Sequence, residues 1–145
     1  MERNYQIIAV DFDGTLCFSK WPDCGEPNQA LINYLKKWKA DGNKLILWTC
    51  RIGDALSAAV EWCRNHGLEF DAVNDNLPEM QEKYSNNPRK ITADIYLDDK
   101  SCSPDSFKEV ISCNQYSHSI QERAQAGALE ILMETILEER FLRTI

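Results

Sequence analysis

An apolar run that ends in two aspartates constrains this chain more than any other feature of its sequence. Residues 7–10 read Ile-Ile-Ala-Val, and Asp11-Phe12-Asp13-Gly14-Thr15-Leu16 follows directly. Two carboxylates at the end of a buried strand both lose water, and each makes ionisation of the other harder. A divalent cation offsets both costs, so the segment predicts metal-assisted phosphoryl chemistry. An ordinary Asp-Gly turn after a strand is the alternative, and the rest of the chain has to decide.

Length and charge set broad limits on what the protein does. At 145 residues with a net charge of −7, we expect one acidic domain rather than several. The negative charge argues against nucleic acid or an anionic membrane surface as a partner. No apolar stretch approaches the roughly 18 residues of a membrane span. The first predicted strand begins so near residue 1 that we also expect no secretory signal.

The six cysteines are spread along the chain without a C-x-x-C pair. This spacing predicts neither a zinc site nor a disulfide framework. Cys50 and Cys63 fall on predicted core elements, where a buried, reduced thiol is the simplest interpretation. Reduced cysteines are typical of a reducing compartment, so we expect a cytoplasmic location.

Strand-like and helix-like segments alternate over the first hundred residues, which predicts an α/β domain around a parallel sheet. The predicted strands lie near residues 6–11, 44–49, 70–74 and 93–97, and the predicted helices near 28–41 and 54–65. The loop 75–89 is expected to hold one helical turn at 79–84. Asn28 is placed to cap the first helix and Gly42 to end it.

The remaining residues, from about 101 to 145, are predicted to form a helical tail of the same single domain. Two helices are expected there, near 104–112 and 119–142. The apolar stripe of the second helix predicts either packing on the domain or a homo-oligomer contact.

The predicted strands deliver polar side chains to one edge of the sheet. Because the carboxyl ends of parallel strands share an edge, five residues should converge there: Asp11, Asp13, Thr49, Asp98 and Asp99. Lys90 precedes the last strand closely enough to reach the same edge, where its ammonium would offset the negative charge. Carboxylate and hydroxyl oxygens in this number suit Mg²⁺ and a phosphoryl group.

In this order and on these elements, the residues resemble the four motifs of the haloacid dehalogenase-like (HAD) superfamily. Within it the chain looks most like the small capless bacterial and phage hydrolases, and the resemblance covers residues 6–100. It implies a Rossmann-like three-layer sandwich with a central parallel sheet and no cap domain. It also implies that Asp11 attacks phosphorus to form an aspartyl-phosphate, and that Asp13 protonates the leaving oxygen and then activates water.

The resemblance further implies a ligand set for Mg²⁺. Asp11, the backbone carbonyl of Asp13 and one of the Asp98-Asp99 pair would hold the ion, with Asp99 favoured as the direct ligand. The acid at residue 13 favours phosphoryl transfer over dehalogenation, since a leaving halide needs no proton.

The same resemblance gives roles to three further residues, each with a simpler alternative. Thr49 would bind the transferring phosphoryl group, although threonine also commonly ends a strand. Lys90 would position Asp11 and the phosphate, with the adjacent Arg89 as the competing cation. Arg51 would contact substrate, or would be an ordinary solvated loop arginine.

The spacing between motifs bears on the substrate. Residues 17–27 leave room only for a short flap, where Trp21 either shields the substrate or packs within the flap. An uncapped site is open to water, which favours phosphates carried on large molecules. We therefore expect a Mg²⁺-dependent phosphatase acting on a phosphorylated sugar, glycan or other open-site substrate. The alternatives are a phosphotransferase and a non-catalytic module that binds a phosphorylated ligand.

Overall fold

The computed structural model describes residues 3–101, 103 and 104. The elements in this part of the chain are β1 (Ile7–Val10), β2 (Cys17–Phe18), β3 (Glu26–Pro27), α1 (Gln29–Ala40), β4 (Lys44–Leu47), α2 (Gly53–Asn65), β5 (Ala72–Val73), α3 (Pro78–Tyr84) and β6 (Ile95–Leu97). The residues up to Ser101 form one compact unit. Among the described helices, none is long and apolar enough to cross a membrane.

A four-stranded parallel sheet organises this unit. Its strand order is β5-β4-β1-β6, so β1 is paired on both sides. Ile8 pairs with Leu45 of β4 and with Ile95 of β6. All four residues of β1 are buried, as expected for a strand covered on both faces.

Helices cover both faces of the sheet. Ile8 and Val10 pack with residues of α1 and α2, whereas Ile7 and Ala9 pack with Met80 of α3. The chain is therefore an α/β protein with helices on both faces of a parallel sheet, which confirms the predicted fold class and its Rossmann-like three-layer arrangement.

Local sequence explains where α1 begins. The Asn28 side chain accepts a hydrogen bond from the Leu31 N–H at 3.3 Å, which confirms the predicted cap. The same side chain donates to the Thr15 carbonyl at 3.1 Å, so the cap also fixes the turn after β1. Ile32 and Leu35 lie on the buried face of the helix.

The strands are shorter than predicted, and this corrects one prediction about the core. β4 ends at Leu47, so residues 48–50 already belong to the loop, and Cys50 is exposed rather than buried. Cys63 is buried in the core, as predicted. β5 spans only Ala72–Val73, because the chain turns away at Asn74, which has a positive φ of 52°. The predicted helices 104–112 and 119–142, and the oligomer contact assigned to them, lie outside the described residues.

The predicted flap is a small hairpin. β2 and β3 pair antiparallel, with Cys17 opposite Pro27 and Phe18 opposite Glu26. Between β1 and β4 the chain holds only this hairpin and α1, and between β4 and β6 only α2, β5 and α3. Within residues 3–101, no cap domain is inserted at either place.

Candidate functional site

A tight turn after β1 places the first two aspartates. The Phe12 carbonyl accepts hydrogen bonds from three successive N–H groups, those of Thr15, Leu16 and Cys17, at 3.3, 3.0 and 3.0 Å. The Phe12 ring is fully buried and meets Trp62 edge-on, with the ring centroids 5.4 Å apart. Phe12 thus anchors the turn in the core, while its two aspartate neighbours stay partly exposed at the edge of the sheet.

Three carboxylates meet at this edge. Asp11, Asp98 and Asp99 each offer one oxygen, and these oxygens all lie within 4.8 Å of one another. The Asp11 N–H donates to the Leu97 carbonyl at 2.8 Å, which fixes the end of β1 against the end of β6. The Thr15 hydroxyl lies 3.5 Å from Asp11 Oδ2 and accepts the Asp99 N–H at 3.1 Å. We name Asp11, Asp98 and Asp99 the acidic cluster.

The environment of Asp11 disfavours its negative charge. Burial is the main cause that raises the pKa of Asp11 to about 6. A backbone hydrogen bond at Phe12 lowers this pKa, and the charges of Asp98, Asp99 and Asp13 raise it further. A bound cation would relieve this repulsion. The ligand oxygens of an octahedral Mg²⁺ lie about 3–4 Å apart, so a small contraction of the acidic cluster would let it hold the ion. The donor set therefore fits Mg²⁺.

The raised pKa of Asp11 predicts a pH dependence of stability in metal-free protein. Between pH 4 and 6 Asp11 carries more protons in the folded chain than in the unfolded chain, where it has its ordinary pKa of 3.8. The contribution of Asp11 to the free energy of unfolding should therefore fall as the pH rises through this window. The contribution has an upper limit of about 3 kcal/mol, and we expect about 1 kcal/mol because solvent screens a partly exposed carboxyl.

Urea unfolding in EDTA at several pH values would measure this contribution. The difference in free energy of unfolding between wild type and Asp11→Asn isolates the contribution of Asp11, because the two proteins share all other titrating groups. A wild-type profile that runs parallel to that of Asp11→Asn between pH 4 and 6 would contradict the prediction.

Asp13 faces a different partner from Asp11. Both of its carboxylate oxygens accept hydrogen bonds from Arg51, from Nε at 2.9 Å and from Nη2 at 2.7 Å. The Asp13 side chain is 39% exposed, whereas that of Arg51 is completely buried. The carboxylate of Asp13 therefore lies in a bidentate ion pair and outside the acidic cluster. Its backbone carbonyl as a Mg²⁺ ligand stays a prediction.

Arg51 makes a full set of contacts around this ion pair. Nη1 donates to the carbonyls of Pro22 and Ala55 at 2.9 and 3.3 Å, and Nη2 also donates to the Asp23 carbonyl at 2.9 Å. With the two bonds to Asp13, each of the five N–H donors of Arg51 has an oxygen acceptor. The pKa of Arg51 lies above its ordinary value, chiefly because of the hydrogen bonds to Asp13. Its predicted contact with substrate would require one of these bonds to break.

Two aromatic rings enclose the guanidinium of Arg51. The centroids of Phe12 and Trp21 lie 4.7 and 4.9 Å from its central carbon. Trp21 is nevertheless 59% exposed. Trp21 therefore packs on Arg51 and still presents surface to solvent, and its shielding of a substrate stays a prediction.

Thr49 lies on the loop just beyond β4. Its N–H donates to the Asn74 side chain at 2.8 Å, and its hydroxyl accepts the Arg51 N–H at 3.2 Å. Asn74 also approaches the Arg51 carbonyl at 3.4 Å, so one asparagine side chain holds both ends of the loop 49–51. The predicted role of Thr49 toward a phosphoryl group stays a prediction.

Lys90 is not in contact with the acidic cluster. Its ammonium lies 5.9 Å from the centroid of the Tyr96 ring. Within the part of the chain that the structure describes, Lys90 forms no ion pair with Asp11, Asp98 or Asp99. Its predicted role would require the exposed side chain to turn toward Asp11 and stays a prediction.

Gly14 permits the close approach of the turn after β1 to the Asp99 side chain. Its φ is +77°, and a Cβ added there would lie 2.5 Å from Asp99 Oδ2. A side chain at this position would therefore displace the Asp99 carboxylate from its place in the acidic cluster. Glycine is required here both for the backbone conformation and for the geometry of the acidic cluster.

Sequence reasoning missed two features of the site. It did not predict the ion pair of Asp13 with Arg51, although both residues follow the ends of adjacent strands. It also missed Asn74, whose position directly after the third predicted strand was the available signal.

Comparisons with known proteins give one relationship. No protein-family model matches the chain, and no curated protein matches it either. A solved structure of a conserved protein coded by a locus from Bacteroides thetaiotaomicron is 41% identical in sequence. The match covers 68% of this chain and 78% of that one, with a TM-score of 0.60. At this identity and coverage, the chain belongs to the same family as that conserved Bacteroides protein.

Proposed function

We propose that the protein is a Mg²⁺-dependent phosphomonoesterase, a hydrolase of the capless HAD type. The observation that carries the proposal is the combination of the acidic cluster with a nearby but separate carboxylate. Asp11 sits beside two further carboxylates, and Asp13 sits two residues away in an ion pair. Two carboxylates in separate environments can take separate roles, Asp11 as the nucleophile once a cation offsets the charges of its neighbours, and Asp13 as the group that exchanges the proton.

The reaction would proceed in two balanced steps. A carboxylate oxygen of Asp11 attacks phosphorus, the bond from phosphorus to the leaving oxygen breaks, and Asp13 gives that oxygen a proton. Water then attacks the phosphorus of the aspartyl-phosphate and returns a proton to Asp13. The bond from Asp11 to phosphorus breaks, which releases inorganic phosphate and restores both side chains.

The acidic cluster would hold Mg²⁺, which when bound neutralises charge on the carboxylates and on the phosphoryl oxygens. Thr49 and Lys90 would bind the phosphoryl group, by a hydrogen bond and by charge, once Lys90 has turned toward Asp11. For Mg²⁺ itself, Asp99 remains our favoured direct ligand because it lies against Gly14, while Asp98 Oδ1 accepts the Lys100 N–H at 2.8 Å.

The openness of the site to solvent favours a phosphate group carried on a large molecule. Asp98 and Asp99 are exposed, and no cap domain is inserted between residues 3 and 101. An open site exposes an intermediate to water, which favours hydrolysis over transfer to a second substrate. We therefore propose a phosphorylated sugar or glycan as the substrate class, with the acidic net charge disfavouring nucleic acid.

A cytoplasmic location is part of the same proposal. The described cysteines Cys17, Cys24, Cys50 and Cys63 are all free thiols. Free thiols persist in a reducing compartment such as the cytoplasm.

Phosphate release by the purified full chain tests the proposed function. The panel would contain phosphosugars, a phosphoglycan, nucleotides, phosphopeptides and an aryl phosphate. We expect release with Mg²⁺, loss of release in EDTA and recovery when Mg²⁺ is restored. Ca²⁺ should restore less, because its longer bonds and higher coordination number loosen the geometry around Asp11. Release that continues unchanged in EDTA would contradict the proposal.

A further inference from the structure

Arg51 contacts two segments that both lie far from it in sequence, the turn after β1 and the flap. Its guanidinium holds both oxygens of Asp13, on the turn after β1, and the carbonyls of Pro22 and Asp23, in the flap. The Trp21 ring lies against the same guanidinium. One buried side chain therefore contacts both the proposed acid–base residue and the flap.

The planar geometry of the guanidinium makes these contacts interdependent. Nη2 donates to Asp13 Oδ1 and to the Asp23 carbonyl, so the two bonds share one nitrogen. The central carbon also lies 4.7 and 4.9 Å from the ring centroids of Phe12 and Trp21. When the flap moves away, Arg51 loses two carbonyl acceptors and one ring, and the constraint on Asp13 weakens with them.

We propose that Arg51 is a positioning residue that makes the orientation of the Asp13 carboxylate depend on the docked flap. The Asp13 carboxylate would then be aligned when the flap is docked and misaligned when the flap moves away. The inference deepens the proposed function and rests on it, since it assigns Asp13 its role in proton transfer. It does not place Arg51 in contact with the substrate.

The inference makes a specific claim about leaving groups. Protonation of the leaving oxygen matters most for a poor leaving group, such as the alkoxide of a sugar, and least for an acidic phenol. A misaligned Asp13 should therefore slow alkyl phosphates far more than activated aryl phosphates. A merely structural loss of Arg51 would lower all rates by the same factor, because it would reduce only the amount of folded enzyme.

Arg51→Lys tests this claim, because lysine keeps the charge but loses the planar fork. We expect kcat/KM to fall about 100-fold for an alkyl phosphate and less than about 10-fold for an activated aryl phosphate. Arg64→Lys is the matched control, since Arg64 forms an exposed ion pair with Glu61 on α2 and leaves Asp13 untouched. Equal losses across a series of leaving groups in Arg51→Lys would overturn the inference.

Hydrogen exchange provides a readout that needs no catalysis. In the full chain without substrate, Arg51→Lys and Asp13→Asn should each make amides of the flap exchange at least about tenfold faster, while amides of α1 keep their wild-type rates. Asp13→Asn is informative because it changes the side-chain contact with Arg51 and leaves the backbone contacts of this turn with Cys17 in place. Unchanged flap exchange in Asp13→Asn would overturn the inference, even if Arg51→Lys failed to fold. A wild type without phosphatase activity would instead refute the proposed function, and the exchange result would still decide the coupling.

Discussion

Asp11→Asn should abolish phosphate release by the Mg²⁺-supplied protein, with turnover at least about 10⁴-fold below wild type. A carboxamide cannot form the aspartyl-phosphate, and it also removes one negative charge from the acidic cluster. The measurement is phosphate release over time on the best substrate of the panel, at saturating Mg²⁺. Asp41→Asn is the matched control, since Asp41 is an exposed residue at the end of α1.

The loss in Asp11→Asn should not come from unfolding. Because burial and the neighbouring carboxylates disfavour the charge of Asp11, its replacement should stabilise the metal-free chain above pH 6. The variant would thus be inactive and at least as stable as wild type in EDTA. Turnover near the wild-type rate in Asp11→Asn would remove Asp11 as the nucleophile.

Gly14→Ala should weaken Mg²⁺ binding about 10- to 100-fold, the second large effect that we expect. The added Cβ would lie 2.5 Å from Asp99 Oδ2, so the Asp99 carboxylate has to leave its position in the acidic cluster. The positive φ adds a backbone cost of about 1–2 kcal/mol to the free energy of folding. Disturbing the groups that orient a metal ligand lowers metal affinity by a factor of this size.

Gly42→Ala separates the backbone cost of a positive φ from the displacement of Asp99. Gly42 has a φ of +89°, and a Cβ added there meets nothing within 4 Å. Both variants should therefore lose stability by similar amounts in EDTA, whereas only Gly14→Ala should lose Mg²⁺ affinity in calorimetric titration. Equal Mg²⁺ affinities in the two variants would show that Asp99 does not depend on the space above Gly14.

Much of the fold could be predicted from the sequence because its signals are local. The apolar runs at 7–10 and 45–48 mark the two central strands, and Asn28 marks the start of α1. The meeting of Asp11 with Asp98 and Asp99 also followed from sequence, since parallel strands share their carboxyl edge. The short β5 was harder to predict, because two residues carry almost no periodicity.

The partner of a charged side chain is not a local property. Arg51 was interpreted as a substrate-binding or solvated residue, because arginine in a loop is usually exposed. Its burial depends on the path of the flap, which brings the carbonyls of Pro22 and Asp23 over it. Cys50 shows the opposite error, since the end of β4 at Leu47 leaves it exposed.

The central position of β1 determines when the site can assemble during folding. Ile8 of β1 pairs with Leu45 of β4 and with Ile95 of β6. Ile95 is synthesised fifty residues after Leu45. Until β6 docks, that edge of β1 is open, and Asp11 lies apart from Asp98 and Asp99. A cation held by all three carboxylates would bind only the completed sheet and would stabilise the last step of folding. A chain interrupted before residue 95 would instead expose an apolar strand edge, which is a template for aggregation.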